Sequence, residues 1–234
     1  MASSDQPAER HRQLAAGFTD RVLGTRDWDA PAPVQGWRAR DVVRHLTDWL
    51  PALLAEGAGI ELSTGISVDD DPAAAWLAHV AAVQALLDDP GTADRLLQNP
   101  YLGQLPVDQA IDRFYTTDVF LHTWDLARAT GQDDRLDPQL CADLLAYMEP
   151  FDEILRSSGQ YGARVPVPPD AGPEDQLIGF IGRDPSWAAA SSVDRSRPTD
   201  DPSGPRRQSS PWPGRRSRRA VAGSPRTGTA GLSV

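Results

Sequence analysis

A chain of 234 residues with 40% hydrophobic and 24% charged side chains has the apolar content to build the core of one or two domains, which excludes a wholly disordered polymer. A single cysteine, Cys141, excludes an intrachain disulfide, and no apolar run of about 18 residues is present to form a transmembrane helix. The net charge of −10 is unevenly spread: nine arginines against three aspartates leave +6 in residues 186–234 and −16 in residues 1–185, so the two parts are read separately.

No apolar leader follows the start, and with the single cysteine this predicts a soluble cytoplasmic protein. Every basic residue is arginine. Together with abundant Ala, Pro and Gly, this reads as the coding bias of a GC-rich genome.

Residues 5–26 predict a first helix with Leu14, Phe18, Val22 and Leu23 on its apolar side, and a proline-rich connector, "DWDAPAPVQGW", follows. The second helix, about 39–56, carries Val42, His45, Leu46, Trp49 and Leu53 at helical spacing. It has no Ser or Thr cap, Arg38 standing near that place, but Asp41 favours the dipole of its first turn. The third, about 72–89, opens with Asp71 as N-cap and Pro72 at the first helical position, and buries Trp76, Val80, Val83 and Leu87. "DDPG" stops it.

After a loop of about fifteen residues, the fourth helix runs from Pro106 to about 130 and ends on Gly131. A fifth begins with Asp137 and Pro138 and extends to about 156. "VPVPPDAGP" is extended, and "EDQLIGFIGR" is a short closing helix. Strand patterns are few. The expected fold is all-α, with a four-helix bundle at its centre and extra C-terminal helices over residues 1–187. Residues 188–234 are rich in Ser, Pro, Arg and Gly without apolar periodicity and read as a basic disordered tail, resembling GC-rich sequence in the wrong frame rather than a nucleic-acid-binding arm.

The fourth helix contains an anomaly. Three- and four-residue steps along it give Ile111, Phe114, Asp118, Leu121 or His122, Asp125 and Ala129, so polar groups occupy the stripe that should be buried. An unpaired carboxylate there costs several kcal/mol, so Asp118 must be ion-paired, metal-bound or protonated. His45 repeats the anomaly on the second helix. Two histidines and one carboxylate form a three-ligand set with open positions, the type that catalytic zinc or ferrous iron uses. Asp125 and Asp48 are candidate acceptors for the imidazole N–H groups, and Trp49 and Trp124 are candidate pocket walls. His79 reads as a core or bundle-edge histidine, and Cys141 as a small core residue. His11, in "ERHRQ", reads as solvent-facing, as do Arg44 and Arg128.

Three segments, "GWRARDVVRHLTDWL", "TTDVFLHTWDLARATGQ" and "YGARVPVPPDAGPEDQLIGFIGRDPSW", resemble bacterial metal-binding relatives of the N-terminal domain of mycothiol-dependent maleylpyruvate isomerase, within the DinB-like superfamily. The resemblance spans roughly residues 8–187. It implies a DinB-like bundle holding a divalent metal, with zinc first and nickel, iron and manganese open. The ligands it implies are His45 in Asp41-Val42-Val43-Arg44-His45-Leu46, and Asp118 and His122. It further implies a low-molecular-weight thiol such as mycothiol as cofactor and a small electrophile as substrate; a bound metal favours the nucleophilic thiolate.

The chain departs from the family where Val34-Gln35-Gly36-Trp37 replaces the common Cys-Pro-Gly-Trp. Only the isomerase's N-terminal domain is matched, so the expectation is a thiol-dependent transferase or isomerase of small electrophiles. The alternative is a non-catalytic metal- or ligand-binding module of the same fold. Which residues act catalytically is left open, as is homodimerisation.

Overall fold

The computed structural model describes residues 7–99, 103–157 and 161–189. The expected tail from 188 onward therefore lies outside the described residues, except for its first two positions. Helices dominate: α1 (Pro7–Gly24), α2 (Ala39–Ala58), α3 (Pro72–Asp88), α4 (Val107–Ala110), α5 (Thr117–Thr130), α6 (Pro138–Met148), α7 (Asp152–Ser157) and α8 (Pro173–Phe180). The Asp-Pro starts form as expected: the Asp71 carboxylate accepts from the Ala74 N–H, and Asp137 from Leu140, occupying donors left orphaned at each N-terminus. At α2 the Asp41 carboxylate accepts from the Arg38 N–H, so this helix is capped from within its first turn.

The structure corrects three features of the element reading. The loop after α3 contains a small antiparallel hairpin, β1 (Leu96–Asn99) with β2 (Gly103–Pro106), in which Leu97 pairs with Leu105 and is buried. The expected fourth helix is not uniformly α: Ile111–Thr116 is π-helical between α4 and α5. The fifth breaks at Glu149–Phe151, a single 3₁₀ turn containing Pro150, because proline lacks the donor that continues the ladder.

The helices α1, α3, α2 and α5 touch in a closed ring, each packed on two neighbours. Phe18, Val22, Val42, Leu46, Trp76, Val83, Ile111 and Tyr115 fill the space between them. The rings of Phe18 and Trp76 lie 4.5 Å apart, and Trp76 Nε1 donates to Thr19 Oγ1 at 2.9 Å, so the indole is buried without a stranded donor. A second cluster covers the outer side of α5: Phe120, Leu121 and Trp124 meet Cys141 of α6 and Leu177, Ile178 and Phe180 of α8. Helix α5 is thus sandwiched, and every residue from Val119 to Ala127 is buried. Among the described residues, no helix is long and apolar enough to cross a membrane.

Two side chains of α1 lie opposite to expectation. Leu23 is exposed because it stands one position beyond the stripe formed by His11, Ala15, Phe18 and Val22. His11 belongs to that stripe and is buried, with Nδ1 2.9 Å from Thr116 Oγ1 in the π-helical turn. His79 is a core histidine, with Nε2 2.8 Å from the Tyr115 hydroxyl. Burial, with Arg12 adding to it for His11 and His11 adding to it for His79, lowers both imidazoles from 6.5 to about 4.

Both histidines stay neutral in the fold while the unfolded chain takes up protons below about pH 6.5. Stability is therefore fully present above that value and is lost as pH falls from about 6.5 towards about 4. Thermal unfolding followed by circular dichroism should show Tm falling across this window. A Tm that is flat from pH 7 to 4 would contradict the burial of neutral imidazoles.

Candidate metal centre

The seam between α2 and α5 brings together the three residues of the sequence anomaly. His45 Nε2 lies 2.9 Å from Asp118 Oδ2, and His122 Nε2 lies 3.5 Å from Asp118 Oδ1. One ligand atom from each of His45, Asp118 and His122 falls within 4.8 Å of the others, close enough to converge on one cation. The imidazole centroids are 4.8 Å apart and the rings meet edge to face. His122 is 4% exposed, while the side chains of His45 and Asp118 are 31% and 22% exposed, so the cluster is enclosed at His122 and partly open at His45 and Asp118.

Two of the three are oriented by a partner outside the cluster. Asp125 lies one turn after His122 on α5, and its Oδ2 accepts from His122 Nδ1 at 2.8 Å. That contact engages Nδ1 and leaves Nε2 as the ring nitrogen turned towards Asp118, the one a metal would take. Trp49, one turn after His45, donates its Nε1–H to Asp118 Oδ2 at 3.0 Å. The π-helical turn widens the backbone just before α5, and such turns re-aim side chains at functional sites. Here it buries Tyr115 and Thr116 side by side, and the Tyr115 ring packs 5.5 Å from that of Trp49.

Burial by itself would raise the Asp118 carboxyl. The His122 and His45 imidazoles, with hydrogen bonds from His45 and Trp49, outweigh it and hold the group at about 2. Asp125, fully buried, is likewise pushed up by burial but held below the ordinary carboxylate range by Arg183 and by its bond with His122. The donor set, the contact that turns His122 Nε2 inward and an ionised carboxylate between the imidazoles all fit a divalent cation.

The remaining sequence candidates divide. Asp125 stands behind His122, as expected for an imidazole acceptor. Asp48 does not stand behind either imidazole: it is exposed on the neighbouring face of α2, beside Arg44 and Thr47 on a cleft walled by residues 62–69. Trp49 is at the centre. Trp124 is not, since a residue two positions after His122 points about 200° around the helix. Its ring lies in the C-terminal cluster under the Arg128 guanidinium, 5.1 Å from the ring centroid. Arg44 and Arg128 are both partly buried and ion-paired, Arg44 with Asp69 at 2.8 Å and Arg128 with Asp134, instead of facing solvent freely. Cys141 is a core residue, its thiol raised to about 12 by burial and by nearby Glu174 and Asp137.

Two residues of the centre escaped the sequence reading. Trp37 stacks on His122, with centroids 5.7 Å apart at 19°, and lies 5.2 Å from His45. It is placed by a tight turn in which the Trp37 N–H bonds the Val34 carbonyl and Gly36 adopts φ +80°, a left-handed conformation that a side chain would strain. A Gly-Trp step directly before the first ligand helix is the signal that was there to be read. Arg183, in the segment "GRDPSW", reaches Asp125 from 58 residues further along the sequence.

Fold and centre together define an α-helical bundle with a His–Asp–His cluster of metal-binding type at one of its seams. The chain is 32% identical over 184 residues to uncharacterized protein Rv0738 of Mycobacterium tuberculosis strain ATCC 25618 / H37Rv, a match covering 76% of this chain and 97% of the relative. The same figures hold for uncharacterized protein MT0763 of Mycobacterium tuberculosis strain CDC 1551 / Oshkosh. The chain belongs to the family of these mycobacterial proteins. No family model matches it, and no solved structure matches it.

Trp49→Phe retains the ring and removes the donor to an ionised, partly buried carboxylate. It should destabilise the chelator-treated full chain by about 1.5–3 kcal/mol. Urea denaturation at neutral pH reads this directly, and an unchanged midpoint would show that the indole N–H does not support Asp118.

Proposed function

We propose that this chain is a DinB-like, metal-dependent enzyme of the cytoplasm that uses a low-molecular-weight thiol such as mycothiol to transfer to, or isomerise, small electrophiles. The observation that carries the proposal is the convergence of His45, Asp118 and His122 within 4.8 Å, with Asp125 fixing the His122 ring from behind. These three residues would hold the ion, and two nitrogen donors with one oxygen donor suit zinc. A divalent ion there supplies Lewis acidity and lowers the proton affinity of a thiol or water next to it.

The chain's own groups have definable parts in this chemistry. Asp125 keeps the proton on His122 Nδ1, so that nitrogen does not compete for the reacting group. Trp49 holds Asp118 by one oxygen and limits its rotation. Trp37 lies against both imidazoles and, stacked on His122, helps to cover that ring, which strengthens electrostatic interactions beneath it. The open side, where His45 and Asp118 are partly exposed, is the approach for a thiol and an electrophile.

A second reading, a metal- or ligand-binding module without turnover, is favoured by the enclosure of His122 beneath the stacked Trp37. The two readings separate in one assay. Full-length protein loaded with zinc is mixed with mycothiol and a small α,β-unsaturated carbonyl compound, and loss of free thiol is followed. The enzyme reading expects thiol consumption or, where the thiol is regenerated, isomerisation of the compound, at a rate well above that of the chelator-treated protein. Equal rates from loaded and chelated protein would favour the binding module.

A further inference from the structure

The Asp125 carboxylate is fully enclosed, and its oxygens have three donors. Oδ2 accepts from His122 Nδ1 at 2.8 Å and from an Arg183 terminal nitrogen at 3.1 Å, while Oδ1 accepts from Arg183 Nε at 3.3 Å. The guanidinium therefore grips both oxygens in the two-point geometry that fixes a carboxylate plane. Arg183 is itself anchored. Its N–H bonds the Ile178 carbonyl at 3.0 Å, and its other terminal nitrogen bonds the Ile181 carbonyl at 3.2 Å. The preceding Gly182 sits at φ +85° against the backbone of Gly162, where an added Cβ would meet carbon atoms at 2.9 Å. The turn that delivers the guanidinium thus has room for glycine alone.

Asp125 and Arg183 stand outside the cluster of His45, Asp118 and His122 and act from behind it. From this arrangement we infer that Arg183 is a positioning residue of the metal centre: it locks Asp125 so that Asp125 locks the His122 ring with Nε2 turned towards Asp118. Without the guanidinium, Asp125 loses two of its three hydrogen bonds and can turn away from His122. The ring then loses the partner that sets its rotation and tautomer. The C-terminal layer is thereby part of the centre, since the last turn after α8 reaches through Arg183 to a ligand on α5. This inference rests on the metal reading above.

The test measures zinc affinity of the full-length chain by competition with a chromophoric chelator, and the visible spectrum of the cobalt-substituted protein. Arg183→Gln should bind zinc about 10- to 100-fold more weakly, the usual effect of removing a group that orients a ligand, and should shift the cobalt bands. Arg183→Lys, which restores the charge but grips one oxygen only, should lose less. In an Asp125→Ala background Arg183→Gln should cost no more than about twofold, because both act through the same contact. Far-UV circular dichroism identifies any variant that unfolds; should Arg183→Gln do so, Arg183→Lys, which fills the same space, decides the outcome. Wild-type affinity and an unchanged cobalt spectrum in folded Arg183 variants would overturn the inference and leave the metal reading standing. Failure of the wild-type chain to bind zinc or cobalt would overturn the metal reading and this inference with it.

Discussion

An ionised carboxylate set into a helical core is the constraint around which this molecule is arranged. Asp118 stands on the helix that the rest of the chain wraps, and burial disfavours its charge. The charge persists because His45, His122 and Trp49 surround it. Those partners come from two helices, so α2 and α5 must keep a fixed register for the carboxylate to be satisfied. Close packing of Val42, Leu46, Ile111 and Tyr115 maintains that register. Stability and the geometry of the cluster draw on the same few contacts.

The second layer follows from the burial of α5. A helix buried on all sides from Val119 to Ala127 needs partners on both faces. The bundle covers one face and α6 with α8 cover the other. His122 and Asp125, three residues apart, share one face of α5 between these layers, and Arg183 approaches that face from the C-terminal side. The polar pairs His11–Thr116 and His79–Tyr115 line the π-helical turn just before α5. That turn buries two polar residues in succession, and each has a histidine to meet it, so no hydroxyl is left stranded.

Much of this was legible in the sequence because it is local. Asp71–Pro72, Asp137–Pro138 and Gly131 mark helix ends by mechanisms that operate within one turn. The misplaced polarity of His45, Asp118 and His122 was visible because an amphipathic stripe makes polar residues conspicuous. Other features depend on what a residue meets across the fold. His11 belongs to the apolar stripe of α1 by spacing, but its charged neighbours Glu9, Arg10 and Arg12 disguised it as surface. Trp124 and Asp48 are close to His122 and His45 in sequence and turned away from the cluster in space. Arg183 lies 58 residues from Asp125, and no periodicity connects them. The π-helical turn and the short hairpin carry no pattern distinguishing them from a helix and a loop.

The relationship to the mycobacterial relatives spans nearly their whole length, so the fold described is that of a family of proteins rather than of one chain. Its central claim is that His45, Asp118 and His122 are one metal site. The most direct measurement is elemental analysis of the purified full-length protein after zinc loading and exhaustive dialysis, beside His122→Ala treated identically. The account predicts about one ion per wild-type chain, as a single three-ligand site requires, and a near-complete loss in the variant. Equal metal content in the two proteins, whether stoichiometric or nil, would contradict it.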